Sequence, residues 1–344
     1  MKSKLVPLLK IGVSVGLLIL ALMQVDLQQT WEQFRQLSPI FVVEALIYYT
    51  ILQLLSSWRW QIVLQPTEHS APMNVLFSSY LAGMFLNTFL PGSLGGDVYR
   101  VYRVTQVTND SQVSLVSVFL ERFSGLAVLS LLAAMSLPLT FGLIDSWDVI
   151  ILFVGVVAAL VGGIILVMSP QLLNWVEPWL VKFRLGSLAE RLARIQYLLL
   201  QFVQDRQALV TSTLLSLVIH LGIVHYHYLI AQQLQLPVSF WQLLVFVPIV
   251  AVITVLPISV GGLGVKEGLW IYLFARIGLS AEQAVLLSLT VTWLGWLLSL
   301  AGGGFLLLDE SREQMATVQY ELSNLSSTKL GLGGMEKSGV SESE

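Results

Sequence analysis

Apolar residues in this chain come in long runs rather than in one-face stripes. Segments at about 5–25, 40–64, 112–138, 147–168, 209–233 and 281–308 each reach the roughly 20 mostly apolar residues that a helix needs to cross a bilayer. Two more apolar runs are broken. One, about 73–90, leads into FLNTFLPGSLGGDVYR (Phe85 to Arg100); the other, about 241–277, is interrupted at VLPISVGGLGVKEG. Two stretches do show helical stripes. Leu27, Trp31, Phe34 and Leu37 predict a short interfacial helix. In 171–206, Leu188, Leu192, Ile195, Leu199 and Phe202 share a face while Lys182, Arg184, Arg191 and Arg194 take others. That pattern fits either a helix lying on anionic headgroups or a basic loop packed on the cytoplasmic side. The Ser/Gly/Glu-rich residues 309–344 predict a disordered tail.

The distribution of basic residues sets the sidedness. Lys2, Lys4 and Lys10 place the N-terminus in the cytoplasm, and the basic 171–206 segment belongs there too. No small-x-small cleavage site follows the first apolar run, which predicts a retained helix rather than a signal peptide. The loop FGLIDSWD near 141–148 has no basic residue and fits the outside. Parity then makes 97–111 cytoplasmic, so 73–96 enters and leaves by the same face, as a re-entrant hairpin. The second broken run starts and ends outside, as a hairpin or two short crossings. Both termini are expected in the cytoplasm, in a protein of the cell membrane.

The broken runs echo one another. LPGSLGG at 90–96 and LPISVGG at 256–262 share L-P-x-S-x-G-G, with 166 residues separating Pro91 from Pro257. The same shift carries the spans at 40–64 and 112–138 almost onto those at 209–233 and 281–308. Units of about 40–138 and 206–304 that enter from opposite faces form an inverted repeat, with broken helices at matching positions marking a substrate site. The alternative is two unrelated helix breaks. The expected fold is all-α, with about six full spans and two hairpins over residues 1–308, hence six to eight transmembrane segments.

Composition sharpens this picture. The 344 residues are 56% apolar and 11% charged, against about 25% charged in soluble domains, and mean hydropathy is +0.78. A soluble fold is excluded on that ground. Cysteine is absent, which removes disulfides, thiolate metal sites and a cysteine nucleophile. The net charge of −3 says little, because in a membrane protein the sidedness of Lys and Arg matters more than their sum, and no nucleic-acid partner is expected. No Walker A loop, G-x-S-x-G elbow, H-E-x-x-H helix or acidic metal-ligand pair occurs, so no cofactor is expected.

Ionisable groups at membrane depth cost on the order of 2.5–3.5 kcal/mol each at a helix centre, so they need partners or water. Three sets stand out: Asp97 with Arg100, Glu121 with Arg122, and Lys266 with Glu267. Each holds both signs, and pairing within each set is one reading. The other is an anion site. Gly95, Gly96, Gly261, Gly262 and Gly264 let backbone N–H groups approach closely, and half-helix N-termini add positive potential. Arg100, Arg122 and Lys266 would then hold a phosphate, oriented by Asp97, Glu121 and Glu267. An ion-coupled version would protonate Glu121 or Glu267. Asn87, one turn before Pro91, is placed either to satisfy the carbonyl freed by the proline or to touch ligand. His220 and His227 share a helix face, and buried packing is expected there rather than metal. Arg59, in SSWRWQIVL, reads as a snorkelling interfacial anchor beside Trp58 and Trp60.

NTFLPGSLGGDVYR, FLERFSGL (119–126) and LPISVGGLGVKEG, with WRW upstream, resemble the lysylphosphatidylglycerol synthase transmembrane-region family over about 5–308. The resemblance implies a flippase-like membrane domain. Its pattern maps onto Asn87, Pro91, Gly95, Gly96, Asp97, Arg100, Glu121, Arg122, Pro257, Gly261, Gly262, Gly264 and Glu267. Members that transfer lysine carry a soluble aminoacyl-transferase domain after the membrane part, where this chain has only 309–344; enzyme activity is therefore not expected. The expected partners are anionic phospholipids or prenyl-phosphate lipids, and a membrane glycosyltransferase or lipid-modifying enzyme. Transport of such a lipid is the leading reading. A membrane-embedded enzyme on a lipid phosphate and a lipid-binding scaffold of a glycosyltransferase stay open beside it.

Overall fold

A computed structural model describes residues 27–89, 94–136, 186–254 and 262–333, with isolated positions between 16 and 23 and between 151 and 169. The spans expected at 5–25 and 147–168, the loop at 141–148, Pro91, Pro257 and Gly261 lie outside the described residues. Those described are helical, with no strand among them.

A short helix α1 (Leu27–Arg35) precedes the long α2 (Pro39–Leu64). Ser38 is extended and Pro39 supplies the pre-set φ of a first helical residue, which fixes where α2 begins. The helices α3 (Met73–Phe89) and α4 (Leu94–Thr108) flank the first broken motif. Next comes α5 (Ser111–Ser136), entered through Asp110, whose carboxylate accepts from Gln112 N at 2.9 Å and Val113 N at 3.1 Å. Burial pulls the Asp110 pKa upward, but those two N–H groups and the Arg194 guanidinium hold it below the usual carboxylate value.

Helix α6 (Gly186–Gln204) follows, and Asp205 then caps α7 (Arg206–Gln233) by accepting from Ala208 N. Leu198, Leu199 and Phe202 of α6 are buried in the cluster that includes Trp60 and Val116, while Arg191 and Arg194 are exposed. The C-terminal part of the stripe is thus buried, while Leu192 nearer the start of the helix is exposed beside the arginines. Helices α8 (Phe240–Thr254) and α9 (Val265–Ala275) flank the second broken motif, and α10 (Ala281–Gly333) closes the order.

Among the described residues four stretches are long and apolar enough to cross a membrane: Pro39–Thr67, Ser111–Ser136, Arg206–Gln233 and Ala281–Leu308. The helix after the first broken motif runs from Leu94 to Thr108, so Arg100 lies buried within a helix. The helix that begins at Ala281 runs on past Leu308 to Gly333, through a segment without proline.

At the 166-residue shift the bounds of two helices nearly coincide with those of later ones. Moving α3 gives 239–255, within one residue of α8 at each end, and moving α2 gives 205–230, against 206–233 for α7. The packing is reciprocal: α3 lies on α10, α8 lies on α5, and α2 lies on α7. Glycine sets how close these helices come. A Cβ on Gly302 of α10 would stand 2.0 Å from the Leu81 carbonyl oxygen of α3, and one on Gly96 of α4 would stand 2.2 Å from the Gly83 carbonyl oxygen.

Candidate functional site

The first motif lies between α3 and α4, and these two helices pack against one another. Asn87, near the end of α3, accepts from the Gly96 N–H at 2.8 Å through its carboxamide oxygen. It therefore satisfies an orphan donor in the first turn of α4, a role that neither reading of the sequence named. With Gly96 held against Gly83, the turns that follow place Asp97 and Arg100 on one face, three residues apart.

Arg100 is 4% exposed and sits between two aromatic faces, its guanidinium carbon 4.2 Å from the Trp60 ring and 4.3 Å from the Tyr80 ring. It donates to Glu121 Oε2 at 2.9 Å and contacts Asp97 Oδ1 at 3.4 Å. The other Glu121 oxygen pairs with Arg59, which also donates to Ser216 Oγ of α7 at 2.8 Å. Asp97 Oδ2 pairs with Arg122 at 2.5 Å. One chain of charges results, Arg122–Asp97–Arg100–Glu121–Arg59, carried by α2, α4 and α5 and anchored on α7.

Burial grades along this chain. Arg59 and Arg100 side chains are 5% exposed and Glu121 is 1% exposed, while Arg122 is 39% exposed. A carboxylate this buried needs both guanidiniums to offset its desolvation. Gly125 makes room: a Cβ there would lie 3.1 Å from Arg59 Nη1. Trp60 is fixed in turn by its Nε1, which donates to Ser117 Oγ at 3.0 Å.

The five charged residues line a cavity of about 350 Å³ walled by α2, α3, α4, α5 and α7, within the range of small-ligand sites. Of the residues singled out by sequence, Asn87, Asp97, Arg100, Glu121 and Arg122 line it, and Gly96 is in contact with Asn87. Gly95 stands one position earlier in α4. The walls also include Arg59, Tyr80 and His220, which the sequence did not assign to the site. Arg59 is no snorkelling anchor, since it points inward while neighbouring Trp58 is the exposed one. A signal was present: Tyr49, Gln53, Ser56 and Arg59 recur at helical spacing along α2, an inward polar stripe in an apolar helix.

The second motif is built differently. Gly262 and Gly264 adopt φ of 78° and 81°, the left-handed region where a side chain is strained. Gly264 caps α9, and Glu267, three residues on, accepts its N–H at 2.7 Å. The other Glu267 oxygen accepts from Ser288 Oγ at 3.0 Å and lies 3.6 Å from Lys266 Nζ, which donates to Thr292 Oγ1 at 2.5 Å. Glu267 is fully buried and holds α9 to α10. Among the described residues this cluster is self-paired and supplies no wall of the cavity. His227 stacks on Trp270 with ring centroids 5.8 Å apart, and no group of three metal-ligating side chains occurs among the described residues.

Residues 8–303 match the family described as Lysylphosphatidylglycerol synthase TM region. A relative from Methanothermobacter thermautotrophicus, named UPF0104 membrane protein, is 23% identical over 272 residues, covering 72% of this chain and 77% of the relative.

Proposed function

The chain belongs to the lysylphosphatidylglycerol synthase TM-region family, and we propose that it moves an anionic, phosphate-bearing amphiphile between leaflets, holding the headgroup in the cavity between α2 and α7. One observation carries this reading: three guanidiniums share two carboxylates in the cavity wall, so these five groups together carry a net charge of +1. A phosphate oxygen is the complement of a forked guanidinium. The rim residue Arg122 is the one best placed to trade Asp97 for ligand, because it is the exposed member of the chain. Acyl or prenyl chains would remain in the surrounding lipid.

The inverted repeat belongs to this reading. The 166-residue recurrence of helix bounds and the reciprocal packing support two units inserted in opposite senses, with α3–α4 and α8–α9 as hairpins. The second motif, locked by Glu267, would serve as the fixed counterpart of the first. An enzyme on a lipid phosphate lacks support, since Glu121 and Asp97 are each committed to guanidiniums and neither stands free as a base.

Purified protein in liposomes containing a fluorescent phosphatidylglycerol in one leaflet tests the reading. Movement to the other leaflet without chemical change is expected, and Arg122→Gln should slow it at least about tenfold, the loss of one charge-assisted contact. A new lipid species would instead identify an enzyme. An unchanged rate in Arg122→Gln would remove that residue from the site. The hairpin has its own measurement: with no native cysteine, Gln106→Cys should react with a thiol reagent only after the reagent enters the cell. Labelling from outside would turn α3–α4 into crossings.

A further inference from the structure

His220 differs from every other ionisable side chain in the cavity wall apart from the tyrosines. The three arginines and two carboxylates are committed to one another. The Nδ1 of His220 lies 2.6 Å from the Ser216 carbonyl oxygen. A carbonyl only accepts, so Nδ1 carries the hydrogen and the neutral ring presents Nε2 as a bare lone pair. No described residue meets that Nε2. Arg59 of α2 and Glu121 of α5 act on the ring electrostatically. Gly125 of α5 lies beside it, its Cβ position 3.5 Å from His220 Cε1. Tyr49 of α2, Tyr80 of α3, Asp97 and Arg100 of α4, and Arg122 of α5 complete the titratable lining.

Charge balance gives this lone pair a use. A phosphodiester headgroup carries one negative charge and neutralises the cavity by itself. A phosphomonoester or diphosphate brings two or more, and in a low-dielectric site the surplus is costly unless a cation enters with it. Conversely, a proton on His220 beside Arg59 adds a second uncompensated positive charge unless an anion enters. Each therefore favours the other by linkage.

Resting on the anion-site reading above, we infer that His220 is the proton-binding group of the cavity: a dianionic phosphate headgroup enters with one proton, taken from water onto Nε2, and a phosphodiester enters without one. Movement of a dianionic amphiphile then responds to a transmembrane pH difference, and movement of a diester does not.

The test uses dodecyl phosphate and its methyl diester as probes of the purified full chain, titrated calorimetrically near pH 7.5 in two buffers of different ionisation heat. Uptake of about one more proton is expected with the monoester than with the diester, and monoester affinity should weaken about tenfold per pH unit on the alkaline side. His220→Gln should lose the extra proton, whereas His227→Gln, on the same helix but outside the cavity wall, should keep it. Extra uptake that persists in His220→Gln places the proton elsewhere and overturns the assignment. Equal uptake for both probes in the wild type also overturns it, yet leaves the anion site standing. Failure of both probes to bind refutes the two together. Should His220→Gln not fold, histidine ring-nitrogen spectra of the wild type decide: the His220 ring must become imidazolium on adding the monoester, and a ring that stays neutral sinks the proposal.

Discussion

Glu121→Gln is expected to destabilise the protein by about 3–5 kcal/mol, the cost of stripping the partner from a buried charge. Glutamine matches the volume of glutamate, so the loss is electrostatic rather than steric. It leaves Arg59 and Arg100, each 5% exposed, facing a neutral carboxamide. Arg100 keeps its aromatic sandwich and the longer contact to Asp97, which Arg122 shares, while Arg59 keeps only the neutral Ser216 hydroxyl, so the greater loss falls on Arg59. Thermal unfolding of detergent-purified protein, followed by size-exclusion fluorescence, measures the effect. Arg122→Gln should shift the midpoint far less, because water reaches the rim and screens Asp97. If Glu121→Gln unfolds at the wild-type temperature, the charge chain does not hold these helices together.

Gly302→Ala should be nearly as damaging, although alanine is the better helix former. Its new Cβ would lie 2.0 Å from the Leu81 carbonyl oxygen and 2.3 Å from the carbonyl carbon. Backbone atoms cannot rotate aside, so α3 and α10 must move apart along their crossing. The cost is expected at or above the upper end of the about 1–3 kcal/mol typical of overpacking. Because α3 carries Tyr80 and Asn87, the shift should also reach the cavity and slow the lipid movement proposed above. Gly304→Ala is the control. Nothing lies within 4 Å of a Cβ there, and it should leave folding yield and thermal midpoint unchanged or slightly raised. Equal midpoints for the two variants would mean the helices do not approach this closely.

Charge pairing shows where reasoning along the chain stops. The sequence groups Glu121 with Arg122 as neighbours and allows them to pair. Adjacent residues on a helix point about 100° apart and do not share a face, so the two side chains take separate partners. Arg122 reaches Asp97 of α4, and Glu121 is clamped between Arg100 of α4 and Arg59 of α2. The same limit hid Arg59. WRW at the end of an apolar span is ordinary interfacial composition, and only the position of Glu121 across the bundle shows which way the arginine points.

The sequence by itself determined the helical class, the four long apolar spans the structure describes, and the two proline- and glycine-bearing motifs that separate further helices. It could do so because a bilayer imposes length and apolarity locally, and because proline and glycine act on their own residues' backbone. It also made the 166-residue echo visible, since a repeat is a property of order along the chain. Only the tertiary structure decided which charges meet. It joined Asp97, Arg100, Glu121 and Arg122 to Arg59 and His220 in one cavity and left Lys266 and Glu267 paired elsewhere. Pairing over 62 residues, as between Arg59 and Glu121, depends on helix rotation and closeness of approach. Those are set by glycine contacts such as Gly96 on Gly83 and Gly302 on Leu81, between residues far apart in the chain, and no local pattern encodes them.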